Sequence, residues 1–296
     1  MIYDKNGNEL TTCYDKNGNF LDYAYDKNGN QIWQSGPTRL RVMTYNVQNG
    51  GQYGNRVKRI VDEIYETELP DIVGLQETGT ASARWFTLLE NGWAYNDYLG
   101  HYYGLTYSAR GTSESNNVTS ILSKYPISDF ETVQFSVQDS QPNWREYTKC
   151  HINVSGKQVL WYNTHLGLGP TYRAVMRDEL LADVEEAMET EDYIILTGDF
   201  NVQVATTETT DSEFYAEQIQ PFIDAGLTLA NWQEFGMIPT FTSTTDGVGE
   251  WRCLDNIMVS SNITIEDAWT NTAKVDDNQE GYQIDHIPFI ADLVLN

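Results

Sequence analysis

The sequence predicts a mixed α/β domain with two packed β-sheets, preceded by a small β-hairpin appendage. Two observations carry this expectation. From Leu40 onward, apolar runs of strand composition outnumber the helical segments interleaved with them. Ahead of that region the motif YDKNGN recurs at 3–8, 14–19 and 25–30, a period of 11 residues. Asn-Gly favours a two-residue type I′ turn, which needs positive φ at both central positions, so each unit reads as strand, tight turn, strand. Tyr3, Tyr14 and Tyr25 repeat with the unit. Three such units bury little by themselves, so residues 1–35 form an appendage, a candidate docking element. Asp-x-Asn-Gly-Asn lacks the glycine position that a calcium loop requires, and turn chemistry is the better account. The segment QSGPT at 34–38 is the expected linker, and the main domain spans 39–296.

Within the main domain, LRVMTYNV (40–47) has strand composition. Val57, Ile60, Val61, Ile64 and Tyr65 then follow at helical spacing, closed by Pro70. DIVGLQE is a buried strand, and 82–90 a short helix. VTSIL, FETVQFSV, EYTKCHINV and QVLWYNT are successive strands, several antiparallel because their connections are short. The strongest helix covers 171–188, with Val175, Leu180, Leu181, Val184 and Met188 as its apolar face and Glu185 and Glu186 in solvent. YIILT, a helix near 213–224, strands near 252–260 and 263–270, and a last strand IPFIADLVL complete the chain.

With 296 residues, 40% hydrophobic and 12% aromatic, the chain can fill a sizeable core. No apolar run is long enough for a transmembrane segment. The opening MIYDKNGNEL lacks a signal-peptide pattern. A cytoplasmic location is therefore the default, with removal of a leader or another export route left open. Cys13, Cys150 and Cys253 are scattered and form no zinc or disulfide pattern; buried thiols are the simplest reading. The formal charge is −25, and 38 acids face 14 bases beyond residue 40. Such a surface repels polyphosphates at long range, which argues against tight non-specific nucleic-acid binding. A cation bridging protein and phosphoester would relieve that repulsion.

Polar residues gather where the apolar runs end. Asn46 ends the first main strand and Glu77 the second. His165 follows LWYNT, Asp199 and Asn201 follow IILTG, Asp255 follows RCL, and Asp285-His286 precede IPFI. Each alone has a plain explanation as a turn former, a surface acid or a core histidine, but seven such coincidences are hard to accept together. In α/β sheets, strand ends are where distant segments converge on ligands. Carboxylates and amides suit Mg²⁺ or Mn²⁺ rather than zinc, and two histidines add acid–base groups. That set points to phosphoester hydrolysis.

The segments TYNV, LQET, NTHLG, TGDFNV, LDNIMVS and DHIP, in that order, together with SILSKYPI, resemble the endonuclease/exonuclease/phosphatase superfamily over roughly 40–296. The resemblance implies an α/β/β/α four-layer sandwich with the site at one edge of the packed sheets. It implies that Glu77 is the main Mg²⁺ or Mn²⁺ ligand, with Asn46 and Asp285 beside the metal. Asp199 would orient and deprotonate water, and Asn201 would hold phosphate or metal. Asp255 would fix His286, which stabilises the transition state. In the deoxyribonuclease I-like branch, His165 would protonate the leaving group and Arg145 would touch substrate phosphate. Ile284 replaces the small hydroxyl residue usual before Asp-His in this family. The function expected is metal-dependent phosphodiester hydrolysis of the nuclease type. The alternatives are cleavage of lipid head groups or small phosphoesters, and a binding module without catalysis.

Overall fold

Three antiparallel hairpins open the chain: β1 (Ile2–Tyr3) with β2 (Glu9–Leu10), β3 (Cys13–Tyr14) with β4 (Phe20–Leu21), and β5 (Tyr23–Tyr25) with β6 (Gln31–Gln34). Each hairpin brackets one YDKNGN unit, as strand–turn–strand reading requires. The computed structural model describes the backbone of these strands and residues 37–47, 68–78, 105, 107–111, 118–202, 218–230, 238–242, 251–271 and 285–296. The NGN turns, the tyrosine side chains of the repeats, the Cys13 side chain, Ile284 and the helices expected at 57–65 and 82–90 lie outside the described residues.

Two six-stranded mixed sheets follow. The first contains β7 (Thr38–Asn46), β8 (Ile72–Gln76), β9 (Tyr107–Arg110), β10 (Ser120–Ser123), β19 (Ile263–Thr270) and β20 (Phe289–Leu295), in the order β19-β20-β7-β8-β10-β9. The second contains β11 (Ile127–Gln138), β12 (Trp144–Val154), β13 (Lys157–His165), β14 (Tyr193–Asp199), β15 (Thr228–Leu229) and β18 (Asp255–Val259), in the order β11-β12-β13-β14-β18-β15. Each sheet has one parallel pair, β7 with β8 and β13 with β14, and is otherwise antiparallel. A short hairpin pairs β16 (Phe241–Thr242) with β17 (Trp251–Arg252).

The side-chain period of two decides what lies between the sheets. Leu40 and Val42 on β7, Ile72 on β8, Val159 and Trp161 on β13, Ile195 on β14, and Ile257 and Val259 on β18 share one apolar core. Further along the same faces come Thr44, Asn163 and Thr197, then Asn46, His165, Asp199 and Asp255. Along β13 and β14 the inward face thus changes from apolar to neutral polar to ionisable toward one end of the sandwich, while β7 ends there on an amide and β18 passes directly from apolar residues to an acid. The neutral layer is joined across the sheets. Gln76 Nε2 donates to Asn163 Oδ1 at 2.6 Å and to Thr44 Oγ1 at 3.0 Å. Asn163 Nδ2 reaches back to the Leu75 and Ser120 carbonyls at 2.9 and 3.0 Å.

The outer face of the second sheet carries α1 (Pro170–Met188), which begins with a proline in its first turn after Gly169 at φ 89°. Its buried face is Arg173, Met176, Leu180, Val184 and Ala187. This corrects the predicted stripe in part: Val175 is solvent-facing, because the burying face is rotated toward Met176. Of the helix expected at 213–224, α2 (Gln220–Asp224) is described. Cys150 and Cys253 are buried free thiols. No described helix is long and apolar enough to cross a membrane.

At Gly74 the sheets approach so closely that a Cβ would lie 2.5 Å from Thr197 Oγ1 and 2.7 Å from Asn163 Oδ1. Gly74→Ala is expected to lower stability by roughly 1–3 kcal/mol through overpacking, measured as a shift in the urea midpoint. An unchanged midpoint would show that the polar layer yields freely.

Candidate active site

The ionisable ends of the strands meet because the register makes them neighbours. His165 on β13 is paired with Asp199 on β14, and Asp199 with Asp255 on β18. Gly198 permits this approach: a Cβ there would sit 2.3 Å from the Thr164 carbonyl oxygen. Asn46 reaches Asp199 from the opposite sheet, its Nδ2 donating to Asp199 Oδ2 at 2.9 Å and to Glu77 Oε1 at 3.2 Å. Glu77 leaves β8 with φ 56°, a left-handed conformation that side chains rarely adopt.

Asp199 is the centre of the cluster. Its Oδ1 accepts the Asn201 backbone N–H at 2.8 Å. His165 Nε2 lies 3.4 Å and His286 Nε2 3.6 Å from its Oδ2. Burial first, then the charge of Asp255, push the Asp199 carboxyl up to about 6, against the opposing pull of His286 and the Asn46 and Asn201 donors.

Asp255 and His286 form a buried dyad, with Asp255 Oδ2 2.7 Å from His286 Nδ1. Thr240 Oγ1 holds Asp255 from behind, accepting the Leu254 and Asp255 backbone N–H groups at 3.0 Å each. Phe241 packs edge-on against the imidazole, ring centroids 4.9 Å apart. Burial alone would depress the His286 pKa. The charges of Asp255 and Asp199, the Asp255 hydrogen bond and neighbouring Asp285 outweigh it and raise it to about 10, so the imidazole is a cation at neutral pH.

His165 is held in the opposite state. Burial, then the charges of Arg145 and His286, keep it well below the usual histidine range. Arg145 Nη1 is 2.8 and 2.7 Å from the two ring nitrogens, so the guanidinium faces the ring rather than one lone pair. Asp139 fixes that guanidinium, with its Oδ2 2.9 Å from Nη2 and 3.0 Å from Nε. The other Asp139 oxygen accepts the Gln141 and Asn143 backbone N–H groups at 2.8 and 3.0 Å. Arg145 is thus buried, held by Asp139 and set against the ring of His165.

Of the predicted residues, Asn46, Glu77, His165, Asp199, Asp255 and His286 come together around one centre. Arg145 joins it through His165, and Asn201 through its backbone. Asp285 adjoins it in sequence and acts on His286 by its charge. The chemistry of the donor set suits a hard divalent cation: carboxylates crowd a site whose acid Asp199 already holds its proton more tightly than usual. Ligand atoms of Asp199, Asp255 and His286 lie within 4.8 Å of one another, close enough in principle for an ion. Asp255 occupies one ring nitrogen of His286 while Asp199 faces the other, so an ion between the two acids would have to break the dyad. The Glu77 side of the cluster, with part of its carboxylate in solvent, does not demand that.

A family model, the endonuclease/exonuclease/phosphatase family, matches residues 43–284. The chain belongs to the endonuclease/exonuclease/phosphatase family. No curated protein matches its sequence. Among solved structures, D. rerio TDP2 complexed with a single-strand DNA product superimposes at TM-score 0.63 with 17% identity, covering 86% of this chain and 99% of that one. An endonuclease/exonuclease/phosphatase family protein from Bacteroides thetaiotaomicron gives 0.61 with 18% identity, over 88% and 99%. A mannosyl-6-phosphatase from the same organism gives 0.63 with 17% identity, over 86% and 99%. The two-sheet sandwich is therefore the family's fold, and the family is one of phosphoester hydrolases.

Sequence reasoning passed over Asp139, Thr240 and the Gln76–Asn163 layer. Asp139 had a legible signal, an Asx-type turn in DSQPN running straight into Trp144-Arg145. Thr240 had none, since its role depends on a contact with a segment 14 residues away.

Two expectations follow from the site. Asp199 and His286 both bind protons more tightly folded than unfolded, from 3.8 to about 6 and from 6.5 to about 10. Their contributions to stability are full below the unfolded values and are lost as pH rises through the folded ones. With a chelator present, the urea midpoint is expected to fall between pH 7 and 10, and to fall less in His286→Gln; equal falls would refute the assignment. Asp139→Ala removes the carboxylate that holds a buried guanidinium and should cost about 3–5 kcal/mol, with much of the loss recovered in Asp139→Ala/Arg145→Met. Additive losses in this double-mutant cycle would show that the pair does not act as a unit.

Proposed function

We propose that this protein is a Mg²⁺- or Mn²⁺-dependent phosphodiesterase of the nuclease type. The observation that carries the reading is the convergence, on one buried carboxylate, of an amide, a neutral imidazole and a protonated acid–imidazole dyad. Glu77, with Asn46 and Asp285 beside it, would hold the cation, which when bound supplies Lewis-acid polarisation of a phosphoryl oxygen.

The remaining work falls to the side chains. Asp199, with a pKa raised to about 6, suits a general base that orients water and accepts its proton. His286, kept cationic by Asp255, opposes the charge that grows on the phosphoryl oxygens. Asn46 and Asn201 fix the direction of the Asp199 carboxylate. His165 stands across Asp199 from the dyad, where a phosphate anion would raise its pKa and let it protonate the departing oxygen. Arg145, braced by Asp139, sets the orientation of that ring. A base with an imidazole beside it that a bound phosphate can protonate suits a diester, whose departing oxygen needs a proton.

A second reading, hydrolysis of a small phosphoester or a lipid head group, is favoured by the acidic balance of 38 acids to 14 bases beyond residue 40. The likeness to a mannosyl-6-phosphatase is compatible with it.

Purified protein would be incubated with Mg²⁺ or Mn²⁺ and, in parallel, with plasmid DNA, a chromogenic diester, a phosphomonoester and sphingomyelin. Diester cleavage with plasmid nicking is expected, abolished by chelation. Asp199→Asn, Glu77→Ala and His286→Ala should each lower the rate on the order of 10²–10⁴-fold. Cleavage of monoester or lipid alone selects the second reading, and inactivity on all four substrates overturns both.

A further inference from the structure

Arg173 performs none of the steps assigned to the other residues, yet it is buried beside the site. It stands in the first turn of α1, 7% exposed, at the head of the helix's otherwise apolar buried face. Burial of a guanidinium without a carboxylate partner is costly, so its surroundings should show what it is for. Its Nη1 donates to the Asn201 carbonyl oxygen at 2.5 Å, and its Nε has no acceptor among the described residues. The charge of Asp199 acts on it favourably, while burial holds its pKa below the usual arginine value.

The residue it grips is itself constrained. Asn201 has φ 52°, in the left-handed region. Its backbone N–H donates to Asp199 Oδ1 at 2.8 Å, and its Nδ2 donates to the Leu166 carbonyl at 2.8 Å. The Leu166 N–H in turn donates to the Asp199 carbonyl at 2.9 Å, and the Phe200 N–H to the Leu254 carbonyl at 2.9 Å. The turn that carries Asp199 is therefore tied to the residue that follows β13 and to the one that precedes β18. Arg173 is its tie to the helix layer. Without that tie, the strained Asn201 carbonyl would have no charged donor to hold it, and the N–H that aims Asp199 would lose its fixed direction.

We propose that Arg173 is a positioning residue for the hydrolytic reaction, acting on turnover through the Asn201 carbonyl and not on substrate affinity. This rests on the reading of Asp199 as the general base. A substrate contact would instead use the guanidinium on phosphate and would appear in KM.

The test uses the whole protein with Mn²⁺ and bis(p-nitrophenyl) phosphate. Arg173→Met keeps the length and apolar stem of the side chain and removes its donors. Its kcat is expected to fall about 10²-fold, the cost of misplacing a reacting group by about 1 Å, with KM within about threefold of wild type. Arg173→Lys, which can still donate to one carbonyl, should recover at least about tenfold of that loss. Unchanged kcat in Arg173→Met, or a raised KM with kcat intact, overturns the proposal while the general reading stands. A wild-type protein inactive on the diester overturns both. If Arg173→Met does not fold, Arg173→Leu decides, since it too removes every donor: a loss in kcat at unchanged KM supports the role, and full kcat refutes it.

Discussion

The site depends on the hydrogen bond between Gln76 and Asn163, 2.6 Å long and buried at the middle of the sheet interface. Two sheets packed only by Leu, Val and Ile could slide past each other at little cost, since apolar contact has no direction. A buried amide pair cannot slide, because each unpaired group would incur a desolvation penalty of about 1–3 kcal/mol. Asn163 also bonds the Leu75 and Ser120 carbonyls, so a side chain of the second sheet is fixed to the main chain of two strands in the first. Asn46 sits two residues beyond Thr44 on β7, and His165 two beyond Asn163 on β13. Whatever fixes the amide layer fixes the layer after it.

That arrangement allows charge to be buried. Asp199 and Asp255 are almost fully enclosed, and burying a carboxylate is costly unless charged or hydrogen-bonding partners compensate it. Their neighbours divide the work by sign. Asp255 spends its charge on His286, making a stable cation. Arg145 is spent on Asp139 and faces the ring of His165, holding that imidazole neutral. Asp199 lies between the two histidines with less compensation than either neighbour, and its raised pKa reflects this. Two imidazoles on one carboxylate therefore differ in protonation because of the groups behind them, Asp255 and Arg145. Environments that drive paired titratable groups apart are how one site can present an acid and a base together.

Much of this was legible in the sequence. The strands β7, β8, β12, β13, β14, β19 and β20 follow from their apolar runs, and the β19 bounds match the expected 263–270. Strand ends are readable because a period of two makes the last inward-facing residue predictable, and a polar residue at that position stands out against the run before it. Residues acting through long-range contacts were not legible. Arg173 belongs to the buried stripe of α1, but a base at the first turn of an acidic helix looks like a solvated residue until the carbonyl it holds is known. Val175 was misassigned for the related reason that several registers of a helix give an apolar stripe, and only the sheet beneath chooses among them. The paired strands on either side of each YDKNGN unit agree with the strand–turn–strand reading of the repeat, a reading that needs only local sequence.

The charge of the molecule bears on how such a site can meet an anion. The described cations at the centre are engaged within the protein: Arg145 with Asp139, Arg173 with the Asn201 carbonyl, His286 with Asp255. Outside lies a surface of strongly negative balance. At physiological salt its repulsion fades over about 8 Å, so it slows the approach of a long polyanion more than it affects a small ester already at the mouth of the site. Within the site the balance reverses, because low dielectric strengthens every charge and Glu77, Asp199 and Asp285 would resist a phosphate unless compensated. Compensation by another buried arginine would leave a cation as costly in the empty site as the anion is in the filled one. A divalent ion that arrives with, or just ahead of, the substrate avoids that cost. Under the proposed metal-dependent reading, an acidic site of this kind would make affinity for substrate conditional on the ion, and would couple binding to the same charge that the reaction needs.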